Sequence, residues 1–213
     1  ALACVREFDE PACVVVKHAN PCGVAVGDNL LDVYTRAFNA DSLSAFGGII
    51  AFNRTCTRDV AEAISKVFVE IVLAPNFEAE ALDIFKKKKN LRVLGIGDFG
   101  KRSPKLEVRN VDGGLLIQDS DLKTLTLEHL NTVTKTKPSD QDIKTALFTW
   151  KVLRHAKSNG ILIAKGNTTV GLGAGQVSRV DAVHMALRKG GKNVKGGILA
   201  SDAFFPFRDS IDA

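Results

Sequence analysis

Lys17 and His18 stand side by side at the end of an apolar, β-branched run, and Asn20, Pro21, Cys22 and Gly23 follow as turn-forming residues. Residues at the end of a parallel strand project into the crevice where open α/β sheets bind ligands. An imidazole placed there takes up a proton near neutral pH, and a neighbouring ammonium meets charge that develops on an oxygen. Two readings of the pair stand. One is a general base beside an oxyanion stabiliser; the other is a surface lysine next to a hydrogen-bonded histidine, the commoner fate of such a dipeptide.

A zinc reading of the same stretch fails on its chemistry. Zinc deaminases use H-x-E followed by P-C-x-x-C. Here Asn20 occupies the place of the proton-carrying Glu, and Ala25 stands where the second Cys is needed. A relationship in fold stays open.

Three further stretches have chemical potential. Gly47 and Gly48 join a helix to a strand and permit close approach of backbone to a ligand, or simply make a turn. Gly171, Gly173 and Gly175 follow a strand and precede a helix, where backbone amides can face an anion. The spacing is not the dinucleotide fingerprint, and position 176 is Gln, which argues against a nicotinamide or flavin site. Ser201 to Asp209 sets three phenylalanines around Pro206 between two carboxylates and beside Arg208. Its rings either fold into the core or make a stacking wall for a flat heterocycle, with a carboxylate for an amine or ring nitrogen.

The elements that must position these residues alternate in type. Strands are expected at 12–16, 48–52, 70–74 and 91–96, and helices at 30–39, 58–68 and 78–89, the pattern of βαβ units and a largely parallel sheet. Glycines at 100, 113 and 114 mark hairpin or crossover structure between 98 and 137. A helix over 140–157 follows, with Ser139 or Asp140 as N-cap. Strands at 161–164 and 168–172 flank a turn at Gly166 and Asn167. A helix at 179–189, a strand at 196–200 and a helix start near Asp209 complete the chain.

Composition narrows the class. At 213 residues, with 45% hydrophobic and 25% charged side chains, the chain reads as a soluble globular protein of one large or two small domains. No apolar run is long enough to span a membrane. The start lacks a basic region and an apolar core, so it is no signal peptide. It also lacks a methionine, which suggests a piece of a longer chain. Four widely spaced cysteines fit reduced thiols in the cytoplasm. The net charge of +5 suits anionic ligands, but Lys86 to Lys89 read as a solvated helix end and no aromatic-and-basic stripe marks a nucleic-acid surface.

The motifs KHANPCG (17–23), SAFGGIIAFN (44–53), EIVLAP (70–75), KSN (157–159), GLGAGQVSRV (171–180) and ASDAFFPFRD (200–209) occur in the order found in one family. From about Cys13 to Asp212 the chain resembles the bifunctional AICAR transformylase/IMP cyclohydrolases of purine biosynthesis, closer to their bacterial-like form than to the animal one. The resemblance covers the transformylase part, and the cyclohydrolase domain normally ahead of it is not expected within these residues. It implies an α/β fold of two cytidine-deaminase-like α/β/α lobes without zinc. The first lobe with its crossover segment would span 1–125. The second would span 126–213 and be incomplete at its C-terminus.

That resemblance implies formyl transfer from 10-formyltetrahydrofolate, as co-substrate, to the 5-amino group of AICAR. His18 would be the proton acceptor and Lys17 the transition-state stabiliser. Gly47, Glu70, Asn159, Arg179, Phe204 and Asp209 would contact AICAR, with Asn159 offering a donor–acceptor pair to a carboxamide, and Val180 would contact the folate. Glu70 replaces an Asp of some members, which keeps the charge and alters reach. Asp202 and the chain from Leu153 to Ser158 would lie where members hold a structural potassium ion. The family implies a cytoplasmic homodimer with active sites at the subunit interface, and no nucleic-acid or membrane partner. Its site also draws on segments outside these residues, so weak AICAR binding and poor turnover are expected of the 213-residue chain alone. The competing reading is a non-catalytic nucleotide-binding or assembly module.

Overall fold

The computed structural model describes residues 1–98 and 105–213. The run before Lys17 forms β1 (Ala12–Lys17), which turns through His18 and Ala19 into β2 (Asn20–Val26). Asn20 to Gly23, read from sequence as a turn, thus already belongs to the returning strand. His18 itself takes the turn, with φ of 55°. β1 is central: β2 pairs on one side and β3 (Gly48–Phe52) on the other, both antiparallel.

Beyond β3 the expected βαβ units appear. β4 (Val69–Ala74) and β5 (Arg92–Gly95) continue the sheet in parallel, reached through α4 (Arg58–Ser65) and α5 (Ala79–Lys86). On the other side β2 meets β9 (Thr168–Gly173), then β8 (Ile161–Lys165) and β10 (Ile198–Ser201), all antiparallel. The described strands of this sheet run β10-β8-β9-β2-β1-β3-β4-β5. Parallel pairing is therefore confined to β3-β4-β5. Elsewhere short turns at His18-Ala19 and Gly166-Asn167 force consecutive strands to run back on themselves, as a tight hairpin must.

Helices cover both faces. β1 alternates its side chains, so Cys13 and Val15 pack under α2 (Leu30–Ala40), α4 and α5, with Tyr34, Phe52, Ile64 and Phe85. Ala12, Val14 and Val16 face α1 (Leu2–Val5) and α6 (Asp140–Leu153), with Phe8, Phe148, Val152 and Leu162. This period-two division is why the run reads as continuously apolar: both faces are core. α7 (Arg179–Gly190) lies on β8 and β9, burying Ala182, Val183 and Ala186 against Ile161 and Ile163.

Gly171 and Gly173 make that approach possible. A Cβ on Gly173 would stand 1.9 Å from the Ala182 carbonyl oxygen, and one on Gly171 2.2 Å from that of Ala186. Two of the glycines read as a ligand loop are thus packing glycines inside β9.

The capping box of Ser139 and Asp142 starts α6, with the Ser139 hydroxyl accepting from the Asp142 amide. The helix stops at Leu153, short of the expected 157, because the following chain is claimed elsewhere. The Lys157 amide donates to Asn20 Oδ1 at 2.8 Å, and the Lys157 carbonyl accepts from Gly175 at 2.7 Å. Between 98 and 137 the expected hairpin is β6 (Leu106–Val111) and β7 (Gly114–Asp119), a separate two-stranded sheet turning at Gly113. Gly100 lies outside the described residues. A short α8 (Asp209–Asp212) begins where a helix start was expected.

Candidate active site

Lys17 leaves the end of β1 and is held by backbone. Its Nζ donates to the Phe46 carbonyl at 2.9 Å and to the Gly47 carbonyl at 3.1 Å. An ammonium has three donors, so one remains. Gly47 is placed for this by its positive φ of 65° and by its amide, which donates to the Phe68 carbonyl at 2.9 Å. Lys17 opens into a cleft of about 330 Å³ with Asn20, Ser44, Gln176, Arg188 and Lys189 among its walls. His18 is exposed on the adjoining turn. Cys22 borders the same cleft, but its thiol donates to the Val15 carbonyl at 3.5 Å, and burial together with nearby Asp41 pushes it up to about 12. It is a protonated packing group, not a thiolate. Among the described residues no three His, Cys, Asp or Glu side chains converge as a metal site.

A second cleft, of about 420 Å³, gathers five of the expected residues: Asn159, Arg179, Val180, Phe204 and Asp209. Each arrives from a different local cause. Asn159 sits in the loop between α6 and β8, after a cis Ser158–Asn159 peptide. Arg179 and Val180 open α7, whose N-cap Ser178 accepts from the Asp181 amide. Phe204 and Asp209 follow β10. Of the three phenylalanines there, Phe205 packs beside the Ile161 and Ile163 cluster, while Phe204 (82% exposed) and Phe207 (72%) stand open in the cleft wall. Phe205 thus takes the core alternative, and the rings of Phe204 and Phe207 stay uncovered.

The polar side of this cleft is a cross-braced network. Arg179 donates through Nη1 to Ser201 Oγ at 2.9 Å and to Asp202 Oδ1, and through Nη2 to Asn159 Oδ1 at 2.6 Å. Asn159 Nδ2 donates to the carbonyls of Gln176 and Val177 at 2.9 and 3.0 Å. Both amide protons of Asn159 are therefore engaged, and a lone pair on Oδ1 is the capacity left to it. As arranged it can accept from a ligand N–H but cannot offer the donor–acceptor pair expected of it.

Hydrogen bonds link the two clefts. Gln176 lines the one at Lys17, and its carbonyl is held by Asn159 of the other; the bond from Lys157 to Asn20 ties the same loops together. Glu70 lines neither. It is exposed on β4, with Arg92 4.0 Å away across the parallel pair. Asn20 and Gln176 brace the site without being among the contact residues the sequence pointed to, while Ser158, expected beside a potassium ion, bonds Asp202 instead. The signal for Asn20 was its place inside the KHANPCG motif; for Gln176 it was the departure from the dinucleotide fingerprint.

A mixed sheet covered by helices on both faces, with a lysine-bearing strand end near an aromatic and guanidinium-lined cleft, defines an α/β protein. The family model of the AICARFT/IMPCHase bienzyme matches residues 1–189, and the chain belongs to that family. Its role lies in purine biosynthesis, within a family of enzymes with both formyltransferase and IMP cyclohydrolase activities. Among the described residues no helix is long and apolar enough to cross a membrane.

Proposed function

We propose that the site transfers a formyl group from 10-formyltetrahydrofolate to the 5-amino group of AICAR. The observation that carries this reading is the convergence of Asn159, Arg179, Val180, Phe204 and Asp209 on one cleft, braced against the loop that adjoins Lys17. Phe204 offers an open ring face to a flat heterocycle, Arg179 and Asp209 offer charge, and Asn159 offers an acceptor for an N–H. The same reading has the protein work as a cytoplasmic homodimer with sites shared between two copies.

The AICAR amine is a weak nucleophile because its lone pair is delocalised into the ring and carboxamide. Its nitrogen attacks the formyl carbon while His18 takes the amine proton. The formyl oxygen gains negative charge, which the third N–H of Lys17 meets. Collapse of the tetrahedral adduct breaks the bond between the carbon and N10 of the folate. That nitrogen leaves as tetrahydrofolate with the proton returned by His18. Base catalysis of this kind contributes about 10²–10⁴ in rate, and a preorganised oxyanion donor about 10²–10³.

The test is formyl transfer by the full-length protein carrying Lys17→Ala or His18→Ala. Loss of turnover by orders of magnitude in each, with the circular dichroism spectrum unchanged, supports the division of roles. Retained turnover in both overturns it. AICAR binding without any turnover in the unaltered protein would instead identify a nucleotide-binding module.

A further inference from the structure

The resemblance leads to a potassium ion near Asp202 and residues 153–158, but the carboxylate there and several of the nearby oxygens are already engaged. Asp202 Oδ1 accepts from Arg179, and Oδ2 accepts from Ser158 Oγ at 2.5 Å. The Leu153 carbonyl accepts from Ala156 at 2.8 Å and the Lys157 carbonyl from Gly175 at 2.7 Å. A potassium site needs several oxygen dipoles turned inward to replace the ion's hydration shell. Here a guanidinium sits on the one carboxylate of the group, and a second cation beside it would be repelled. The residues as arranged do not fit the ion.

We propose that Asp202 is a positioning residue that clamps Arg179 at the edge of the cleft, with the guanidinium rather than potassium as its counter-charge. The pair is well shielded, with the Arg179 side chain 10% exposed and that of Asp202 19%. Burial alone would raise the Asp202 pKa, but hydrogen bonds from Ser158, Arg179 and the Gly160 backbone outweigh it and hold the carboxyl below its usual range. Arg179 has five N–H donors, of which Ser201, Asp202 and Asn159 take three. Those bonds fix the plane of the fork, and the remaining donors are free for an anionic or carbonyl oxygen of the ligand. Asp202 also donates its amide to the Gly160 carbonyl at 3.1 Å, so the end of β10 and the Asn159 loop move as one. The part of this inference that concerns AICAR rests on the transferase reading above.

The experiment combines thermal unfolding in matched KCl and NaCl with AICAR titration of the full-length protein. The unaltered protein and Asp202→Asn should each show the same midpoint in both salts. Asp202→Asn should weaken AICAR binding about ten- to a hundredfold, the size of a lost hydrogen bond to a charged group, while kcat at saturating AICAR changes little. Combining it with Arg179→Met should lose no more affinity than Arg179→Met alone. A potassium-specific rise in midpoint that Asp202→Asn abolishes would overturn the clamp, as would unchanged AICAR affinity in Asp202→Asn. Should that variant fail to fold, Arg179→Met decides, because wild-type affinity in it is equally fatal. If the unaltered protein binds no AICAR, the transferase reading fails. The salt comparison and the stability coupling of Asp202 with Arg179 then still judge the clamp, and strictly additive stability losses would sink it.

Discussion

The Lys17 ammonium lies 3.1 Å from the Gly47 carbonyl oxygen, and a Cβ built on Gly47 would stand 3.1 Å from that same nitrogen. The residue that holds the lysine is therefore one where a side chain would crowd that lysine and strain the backbone. Gly47→Ala brings two penalties together: a left-handed φ of 65° and crowding of Lys17 and of Phe68, the latter at 3.2 Å. The conformational penalty for a non-glycine residue is about 1–2 kcal/mol. Urea unfolding should show a loss of that size, accompanied by reduced formyl transfer. An unchanged midpoint would show that the loop relaxes freely.

Gly173→Ala tests the seat of α7. Its Cβ would meet backbone, the Ala182 carbonyl oxygen at 1.9 Å, which no rotamer change relieves. The helix must lift from β9, and overpacking of this kind costs about 1–3 kcal/mol or more. Because Arg179 opens that helix, AICAR affinity should fall along with stability. Gly175→Ala is the contrast: nothing lies within 4 Å of its Cβ, and the penalty there comes from its φ of 69° alone. Equal losses of affinity in the two variants would contradict the packing role.

Acid stability should depend on Asp41. This carboxylate caps α3 (Ser42–Ala45) through the Ser44 amide and pairs with Lys189 at 2.8 Å, joining α7 to the first part of the chain. Burial pushes its pKa up, but the bonds from Lys189 and Ser44 outweigh this and leave it below the usual 3.8. A depressed carboxylate stabilises above its unfolded pKa and loses that contribution as pH falls through the folded one. The loss therefore lies below about pH 4, and solvent screening keeps it under about 1 kcal/mol. Asp41→Asn should lower stability at neutral pH and flatten this acid limb. An acid limb identical to that of the unaltered protein would rule out the role.

The β6–β7 hairpin should exchange its amide hydrogens far faster than β1. Val108 pairs with Ile117 and Asn110 with Leu115, so Leu106, Val108, Leu115 and Ile117 share one face, yet each is more than half exposed. A two-stranded hairpin whose apolar face is uncovered among the described residues is marginal in water. β1, with core on both faces, should exchange only near global unfolding. Protection of 106–119 equal to that of 12–17 would show that another surface covers the hairpin in solution.

How much was legible follows from the range of each interaction. The β1, β3 and β4 runs, the capped start of α6 and the turn at Gly166 could be read because period, capping and turn chemistry are local. The antiparallel pairing of β2 with β9 could not. It rests on contacts such as the Thr169 hydroxyl accepting from the Val24 amide at 2.9 Å, between residues far apart in the chain. The end of α6 was misplaced for the same reason, since Asn20 and Gly175 claim the backbone that would have continued it.

By itself the sequence determined the family, the strand that delivers Lys17 and His18, and the residue types around the second cleft. These are properties of neighbouring residues and of motifs in a fixed order. Only the tertiary structure decided that Asn159, Arg179, Val180, Phe204 and Asp209 meet while Glu70 stands apart, and that Gly173 serves packing rather than an anion. It alone revealed that Asp202 faces a guanidinium. Hydrogen bonds and close packing act over a few ångströms of space, and spacing along a chain does not determine which groups the fold brings within that reach.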